Sequence, residues 1–173
     1  IGHENVSILN GGFKGWANGG NKVATGENSI TPASFKTKLN KKYFASFSEV
    51  QKAQKGKGQQ CLIDARPAAF FTGDKKHAKA RIPGRLANAR NLQEGNLIDD
   101  SFKMKSSSAI KSQFGGLDGV EQYKGYISYC NTGHWAATVW FGLSEIAQIP
   151  NVKMYDGGMT HWTSNPKRKV DLG

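Results

Sequence analysis

The chain has 173 residues, and its 24 Lys and Arg residues outnumber 13 Asp and Glu residues, which gives a formal net charge of +11. Hydrophobic residues make up 38% of the chain, enough for a core, so the composition excludes an intrinsically disordered protein. The longest apolar stretch, 136–143, is far shorter than the roughly 18 to 20 residues of a membrane-spanning helix. We therefore expect one complete domain with some chain to spare, and no membrane insertion.

Charge and cysteine content limit which kinds of binding or catalytic site the chain can contain. The lysines occur singly or in pairs and are not gathered in one run interleaved with aromatic residues, so we expect a solvated basic surface and no nucleic-acid partner. Only two cysteines are present, Cys61 and Cys130, and neither belongs to a C-x-x-C pair. This excludes a disulfide scaffold, a zinc ribbon and a thioredoxin-type motif.

An internal repeat organises the chain. Residues 5–16 and 151–162 both follow the pattern N-V-x4-G-G-x3-W, at an offset of about one domain length. Each copy predicts a buried strand, a Gly-Gly turn and a short helix or turn whose Trp packs on a core, and we interpret both motifs as packing devices without chemistry. A Gly- and Asn-rich linker follows at 19–28. The sequence thus predicts the end of one unit and its linker at 1–27, and a complete unit at 28–173.

Between the two motifs, the pattern alternates between strands and helices. In chain order it predicts a helix capped by Ser46-x-x-Glu49 and ending at Gly56, a strand at 61–64, a turn or short helix at 67–71, a basic loop at 73–84, a weak strand at 86–88, a helix within 100–114, a strand at 125–129, a helix at 134–148 and a strand at 151–155. Hairpin signals are few. Strands separated by helices predict an α/β fold: a three-layer structure with a parallel sheet and helices on both faces.

Cys130 occupies the position where such a fold places its chemistry. It follows a strand and opens the polar loop Cys130-Asn131-Thr132-Gly133-His134-Trp135, which leads into a helix through Ala136 and Ala137. Backbone N–H groups of the loop, together with the positive end of the helix dipole, stabilise an anionic sulfur there. We therefore expect Cys130 to be a reactive thiol, whereas Cys61 is expected to be a small buried hydrophobe.

Over residues 30–165 the chain resembles the rhodanese sulfurtransferases, and residues 1–27 resemble the tail of a preceding rhodanese copy. Four stretches carry the resemblance: the D-x-R of 64–66, the I-P-G of 82–84, the C-x-x-G of 130–133 and the terminal motif of 151–162. The resemblance implies that Cys130 accepts a sulfane sulfur from a small anionic donor such as thiosulfate, holds it as a persulfide and passes it to cyanide or a thiol. No cofactor and no metal are implied.

The resemblance also implies a set of substrate-binding residues around Cys130: Asn131, Thr132, Gly133, His134, Trp135, Ala136 and Arg66. Each of three side chains has an alternative. The alternative for His134 is simple exposure at the loop rim, and the alternative for Trp135 is a core contact. The alternative for Arg66 is an internal ion pair with Asp64 or a neighbouring carboxylate. The usual G-H-I-P-G-A stretch is altered, since Arg81 and Arg85 stand where the family has His and Ala.

Two other functions are alternatives for this chain. Phosphatases with a C-x5-R loop use a closely similar fold, but Ala136 occupies the position of their phosphate-clamping Arg. A non-catalytic rhodanese module used for protein binding is the other alternative, and the retained Cys130 argues against it.

The cellular compartment of the protein is also predicted from the resemblance. The loop and the tandem arrangement are most similar to exported bacterial tandem rhodaneses, so we expect a periplasmic protein, with a cytoplasmic enzyme as the alternative. Because the chain lacks an initiator Met and a lone strand cannot bury both faces, we expect it to be a piece of a longer protein. The partner of residues 1–27 is then the missing part of the first unit.

Overall fold

A single parallel sheet forms the centre of the protein in the computed structural model, which describes residues 2, 3 and 5–173. Ile1 and Glu4, both within the predicted segment 1–27, lie outside the described residues. Over the described chain the sheet has four strands in the order β2-β1-β3-β4, and each neighbouring pair is parallel. The strands are β1 (Gln60–Asp64), β2 (Ala89–Asn91), β3 (Gly125–Tyr129) and β4 (Val152–Tyr155).

The described residues form six α-helices: α1 (Gly12–Asn18), α2 (Phe47–Gln54), α3 (Ala68–Thr72), α4 (Ser107–Gly115), α5 (His134–Phe141) and α6 (Gly158–Thr163). α5 continues into a π-helical turn, Gly142–Ile146, and single 3-10 turns occur at Lys41–Tyr43, Glu94–Leu97 and Val120–Gln122. None of the helices in this part of the chain has the length and apolar character needed to cross a membrane.

Side chains that alternate along β1 and β3 build two separate cores. Ile63 packs in the core beneath α4 and α5, whereas Leu62 and Ile127 pack in the core beneath α2 and α6. This alternation follows from the period of two along a strand, and each buried Leu or Ile contributes about 1.5–3 kcal/mol to folding. Helices therefore cover both faces of the sheet, and the three-layer α/β fold predicted from the sequence is confirmed.

Element boundaries agree with the sequence where a local signal marks them. Ser46 and Glu49 form the predicted capping box at the start of α2, with the Ser46 Oγ accepting from the Glu49 N–H at 3.2 Å. The strand predicted at 86–88 is wrong by three residues. Asn88 takes the left-handed conformation, with φ 62°, so the extended run begins only at Ala89. The helix predicted within 100–114 begins at Ser107, because Ser106 provides its N-cap.

The amino-terminal motif folds differently from its carboxyl-terminal counterpart. Residues 5–10 form no strand, so the buried strand predicted there is wrong. A helix does form in each motif, and it begins at the second glycine of the pair. That glycine is left-handed in both motifs, with φ 55° at Gly12 and 53° at Gly158. Trp162 is 2% exposed, whereas its counterpart Trp16 is 43% exposed. A strand needs a neighbour to pair with, and residues 5–10 have none within the described chain.

Candidate active site

Cys130 lies immediately after β3, at the carboxyl edge of the sheet. Tyr129, the last residue of β3, is aligned with Asp64 of β1 on one side and with Tyr155 of β4 on the other. The carboxyl ends of the central strands therefore meet around the cysteine, which is the usual position of a site in an open parallel sheet. Cys130 is 1% exposed, so it is almost fully buried.

The loop after Cys130 turns a backbone N–H group towards its sulfur. The Gly133 N–H donates to the Cys130 Sγ at 3.1 Å. Gly133 has φ +94°, and a Cβ there would lie 2.6 Å from an Asp156 carboxylate oxygen, so glycine is required at this turn. α5 begins directly afterwards, and its first bond runs from the Ala137 N–H to the Gly133 carbonyl at 2.8 Å.

The start of α5 adds further donors. The N–H groups of His134, Trp135 and Ala136 precede the first helical hydrogen bond, so they have no acceptor within the helix. They form the positive end of the α5 dipole, four to six residues after Cys130. An anion on the sulfur, or on an atom attached to it, is stabilised by this arrangement.

α6 supports the loop from the other side. The Met159 N–H donates to the Cys130 carbonyl at 2.8 Å, and the Thr160 N–H and Oγ1 donate to the Asn131 carbonyl at 3.2 and 3.0 Å. A Cβ on Gly158 would lie 2.5 Å from the Cys130 carbonyl oxygen and 2.6 Å from that of Asn131. The second glycine of the motif is thus a packing device, as the sequence indicated, and what it packs against is the cysteine loop.

Arg66 forms the internal ion pair that the sequence analysis gave as its alternative role. Its Nε and Nη2 atoms donate to the two carboxylate oxygens of Asp64 at 2.9 and 2.6 Å, and Nη2 also donates to the Gly84 carbonyl at 2.9 Å. Burial lowers the pKa of Arg66, but the hydrogen bonds to Asp64 outweigh it and raise the pKa above its usual value.

The remaining Arg66 nitrogen points at the loop. Nη1 donates to the Asn131 Oδ1 at 3.4 Å, and the residue is only 2% exposed. The geometry therefore places Arg66 beneath the loop, where it orients Asn131, and its direct contact with the donor stays a prediction. Asp64, Gly84 and Asn131 together accept from four of the five N–H groups of its guanidinium.

A pocket of about 260 Å³ opens over Cys130. Its walls are His77, Cys130, Asn131, Thr132, His134 and Trp135, which include five of the residues predicted from the sequence. Gly133 and Ala136 are outside this lining: Gly133 contributes its N–H, and Ala136 is buried, its carbonyl accepting from the Ser128 hydroxyl at 2.9 Å.

Trp135 is a wall of this pocket and packs edge-on against Phe70, with 6.0 Å between ring centroids. It also lines a second cavity of about 270 Å³ on its other side, so it separates the two. His134 lies at the exposed rim, with its Nδ1 3.3 Å from the Thr132 hydroxyl. Both side chains are therefore available to a molecule bound over Cys130.

Residues 46–165 match the rhodanese-like domain family. The chain belongs to this family. Its similarity to chicken thiosulfate sulfurtransferase is 30% identity over 175 residues, covering 98% of this chain and 58% of that protein. It is also 30% identical to 3-mercaptopyruvate sulfurtransferase of Escherichia coli K12 over 172 residues, covering 99% and 60%. The chain thus spans about 60% of the length of these relatives.

Two further proteins are similar to this chain. The sulfur carrier protein TtuD of Thermus thermophilus is 24% identical over 172 residues, covering 93% of this chain and 59% of that protein. The anaerobic ergothioneine biosynthesis enzyme from Chlorobium limicola, solved with trimethyl histidine, superposes with a TM-score of 0.80 at 18% identity, covering 98% of this chain and 42% of that one. That superposition supports the rhodanese-like fold alone.

His77 is the pocket residue that sequence reasoning missed. It comes from the basic loop 73–84, and no motif marks it, because only the folding of that loop brings it opposite Cys130. The Lys79 N–H donates to the His77 Nδ1 at 3.2 Å, so the neutral ring carries its proton on Nε2. His77 therefore offers a hydrogen-bond donor at the pocket.

Cys61 lies within β1, where its thiol donates to the Leu62 carbonyl at 3.7 Å. It is 1% exposed in the core beneath α4 and α5, and burial raises the pKa of its thiol to about 11. This agrees with the expectation of a small buried hydrophobe. Among the described residues, no group of three or more His, Cys, Asp or Glu side chains is placed to hold a metal ion.

Proposed function

We propose that this rhodanese-like domain is a sulfurtransferase that carries a sulfane sulfur on Cys130 as a persulfide. The observation that carries the proposal is the Gly133 N–H aimed at the Cys130 Sγ, in a pocket at the amino end of α5. The names of the relatives, which are sulfurtransferases and a sulfur carrier, support sulfur transfer as the reaction class.

The proposed reaction has two steps. The Cys130 thiolate attacks the outer sulfur of thiosulfate or a similar donor, the S–S bond of the donor breaks, and its electron pair leaves with sulfite. A nucleophile such as cyanide or a thiolate then attacks the outer sulfur of the persulfide and releases the Cys130 thiolate. Charge stays on sulfur throughout, where the loop N–H groups stabilise it. The steps balance without an added cofactor.

The residues that line the pocket indicate which side chains contact the sulfur donor. We propose that a small anionic donor contacts the side chains of His134, Trp135 and His77 above the sulfur. Neither Arg nor Lys belongs to the described lining of this pocket, so hydrogen bonds from histidine and from the backbone hold the anion. A phosphatase gains no support, because Ala136 stands at the clamp position and is buried.

Mass spectrometry after thiosulfate treatment tests the proposal. The wild-type chain is expected to gain the mass of one sulfur atom, and a reductant should remove it. Cys130→Ser should gain nothing, whereas the matched control Cys61→Ser should gain the sulfur normally, because the Cys61 thiol is buried and its pKa is raised. Sulfur loading that survives in Cys130→Ser, or that disappears in a folded Cys61→Ser, would contradict the proposal.

A further inference from the structure

The basic loop at residues 73–84 forms one side of the Cys130 pocket. His77, at its centre, lines the pocket together with the cysteine and with Trp135. The residues on either side of His77 are Lys75, Lys76 and Lys79, and all three are exposed. Whatever enters the pocket over Cys130 therefore passes close to a group of lysines.

These lysines have no acidic partners. Within the described residues, no salt bridge involves a side chain of the basic loop. Asp74 is the loop's one acidic residue, and its carboxylate accepts from the Thr72 hydroxyl at 2.7 Å. Another exposed acid, Asp156, lies against Gly133 at the start of α5. The segment 74–85 has a net positive charge, because it contains five Lys and Arg residues against one Asp.

Hydrogen bonds hold the basic loop in place. The Lys76 Nζ donates to the Ala80 carbonyl at 2.8 Å, and the Lys79 N–H donates to the His77 ring. The Arg81 N–H donates to the Thr163 hydroxyl at 3.1 Å, which ties the end of the loop to α6. The backbone of the loop therefore has a defined place beside the pocket, and Lys75 and Lys79 extend from it into solvent.

The pocket also restricts what can reach the sulfur. Cys130 is buried and the space above it is about 260 Å³, which suits a thin side chain such as that of cysteine. The basic loop contains no Phe, Tyr or Trp on which nucleic-acid bases would stack. A thiol presented by an acidic protein segment matches both the small pocket and the positive charge of the neighbouring loop.

We propose that the basic loop is a docking surface for an acidic protein segment whose cysteine accepts the sulfur from Cys130. This rests on the proposed function, because it names the class of acceptor for the same persulfide. Lys75 and Lys79 attract the acidic residues, and the acceptor thiolate attacks the outer sulfur of the Cys130 persulfide. The Cys130–S bond to that sulfur breaks, and its electron pair returns to Cys130.

The test uses the full chain, first loaded with sulfur and freed of donor, and two Cys-containing peptides of equal length. One peptide carries Asp and Glu around its cysteine, and the other carries Lys. The rate of persulfide discharge should be at least about tenfold higher with the acidic peptide at low salt, and the difference should shrink as salt is added.

Variants separate docking from overall charge. Lys75→Gln with Lys79→Gln should remove most of the preference, and Lys75→Glu with Lys79→Glu should reverse it. The matched control, Lys55→Gln with Lys57→Gln, removes two exposed charges just before β1, at the opposite edge of the sheet, and should preserve the preference.

Four results would overturn the docking proposal or the proposed function on which it rests. Equal discharge rates with both peptides would contradict the docking surface but not the persulfide. Failure to load sulfur at all would contradict the proposed function itself. An equal effect of the control variant would show that only net charge matters. Stronger inhibition by a short RNA than by a Cys-free acidic peptide would assign the basic loop to nucleic acid.

Discussion

Replacing Gly158 with Ala tests whether the carboxyl-terminal Gly-Gly motif shapes the active site. The added Cβ would lie 2.5 Å from the Cys130 carbonyl oxygen and 2.6 Å from the Asn131 carbonyl oxygen, at a residue with φ +53°. The obstructing atoms are backbone of the cysteine loop, so no side chain can rotate away. Either the loop or α6 has to move.

The expected cost has two parts. The left-handed backbone costs a non-glycine residue about 1–2 kcal/mol. Overpacking a fitted site adds about 1–3 kcal/mol, so the free energy of unfolding should fall by about 2–5 kcal/mol. Because the displaced carbonyls belong to the loop that holds the Cys130 sulfur, the rate of sulfur loading should fall as well.

Gly12→Ala is a matched control for Gly158→Ala. Gly12 occupies the same place in the amino-terminal motif and has φ +55°, but nothing lies within 4 Å of the added Cβ. It introduces the same backbone strain without the contact, in the exposed helix α1. Urea denaturation of this variant should show a loss of no more than the about 1–2 kcal/mol of backbone strain, and single-turnover sulfur loading should be close to wild type. Wild-type loading and stability in Gly158→Ala would refute the reasoning.

Three further predictions concern stability and association. Arg66→Met leaves the Asp64 carboxylate buried without its cation, and urea denaturation should show a loss of about 3–5 kcal/mol; a loss below about 1 kcal/mol would contradict the buried ion pair. Ser46→Ala removes the cap of α2 and should cost about 1 kcal/mol in the same assay, and an unchanged midpoint would argue against the cap. Leu9 and Phe13 are 56% and 68% exposed, so sedimentation should show concentration-dependent self-association that Leu9→Gln with Phe13→Gln reduces; a wild-type monomer at all concentrations would speak against an unpaired apolar face.

The apolar face at residues 5–16 bears on the proposed partner of the amino-terminal segment. Val152 is 6% exposed in β4, whereas its counterpart Val6 is 68% exposed, and Trp162 and Trp16 differ in the same direction. We propose that residues 5–16 complete the sheet of a second rhodanese-like unit, in which these side chains would be buried as they are in the carboxyl-terminal motif. The division of the chain at residue 27 stays a prediction.

Local sequence signals determined the elements on which the site stands. An apolar β-rich run followed by a polar, Gly-containing loop predicted β3 at 125–129 and the start of α5 at His134, and both boundaries agree with the structure. The Ser46-Glu49 pair likewise predicted the start of α2. These features depend on neighbouring residues alone, through strand propensity, loop chemistry and capping, so they can be read from one sequence.

Only the tertiary structure decided which distant groups meet at Cys130. Arg66 reaches Asn131 across 65 positions of the chain, and its pairing with Asp64 depends on burial. His77 joins the pocket because its loop is tied to α6, and Gly158 is required because two carbonyls of the cysteine loop lie against it. Such contacts follow from the packing of elements far apart in the chain. Hydrophobic pattern and local propensity specify the elements but not those distances.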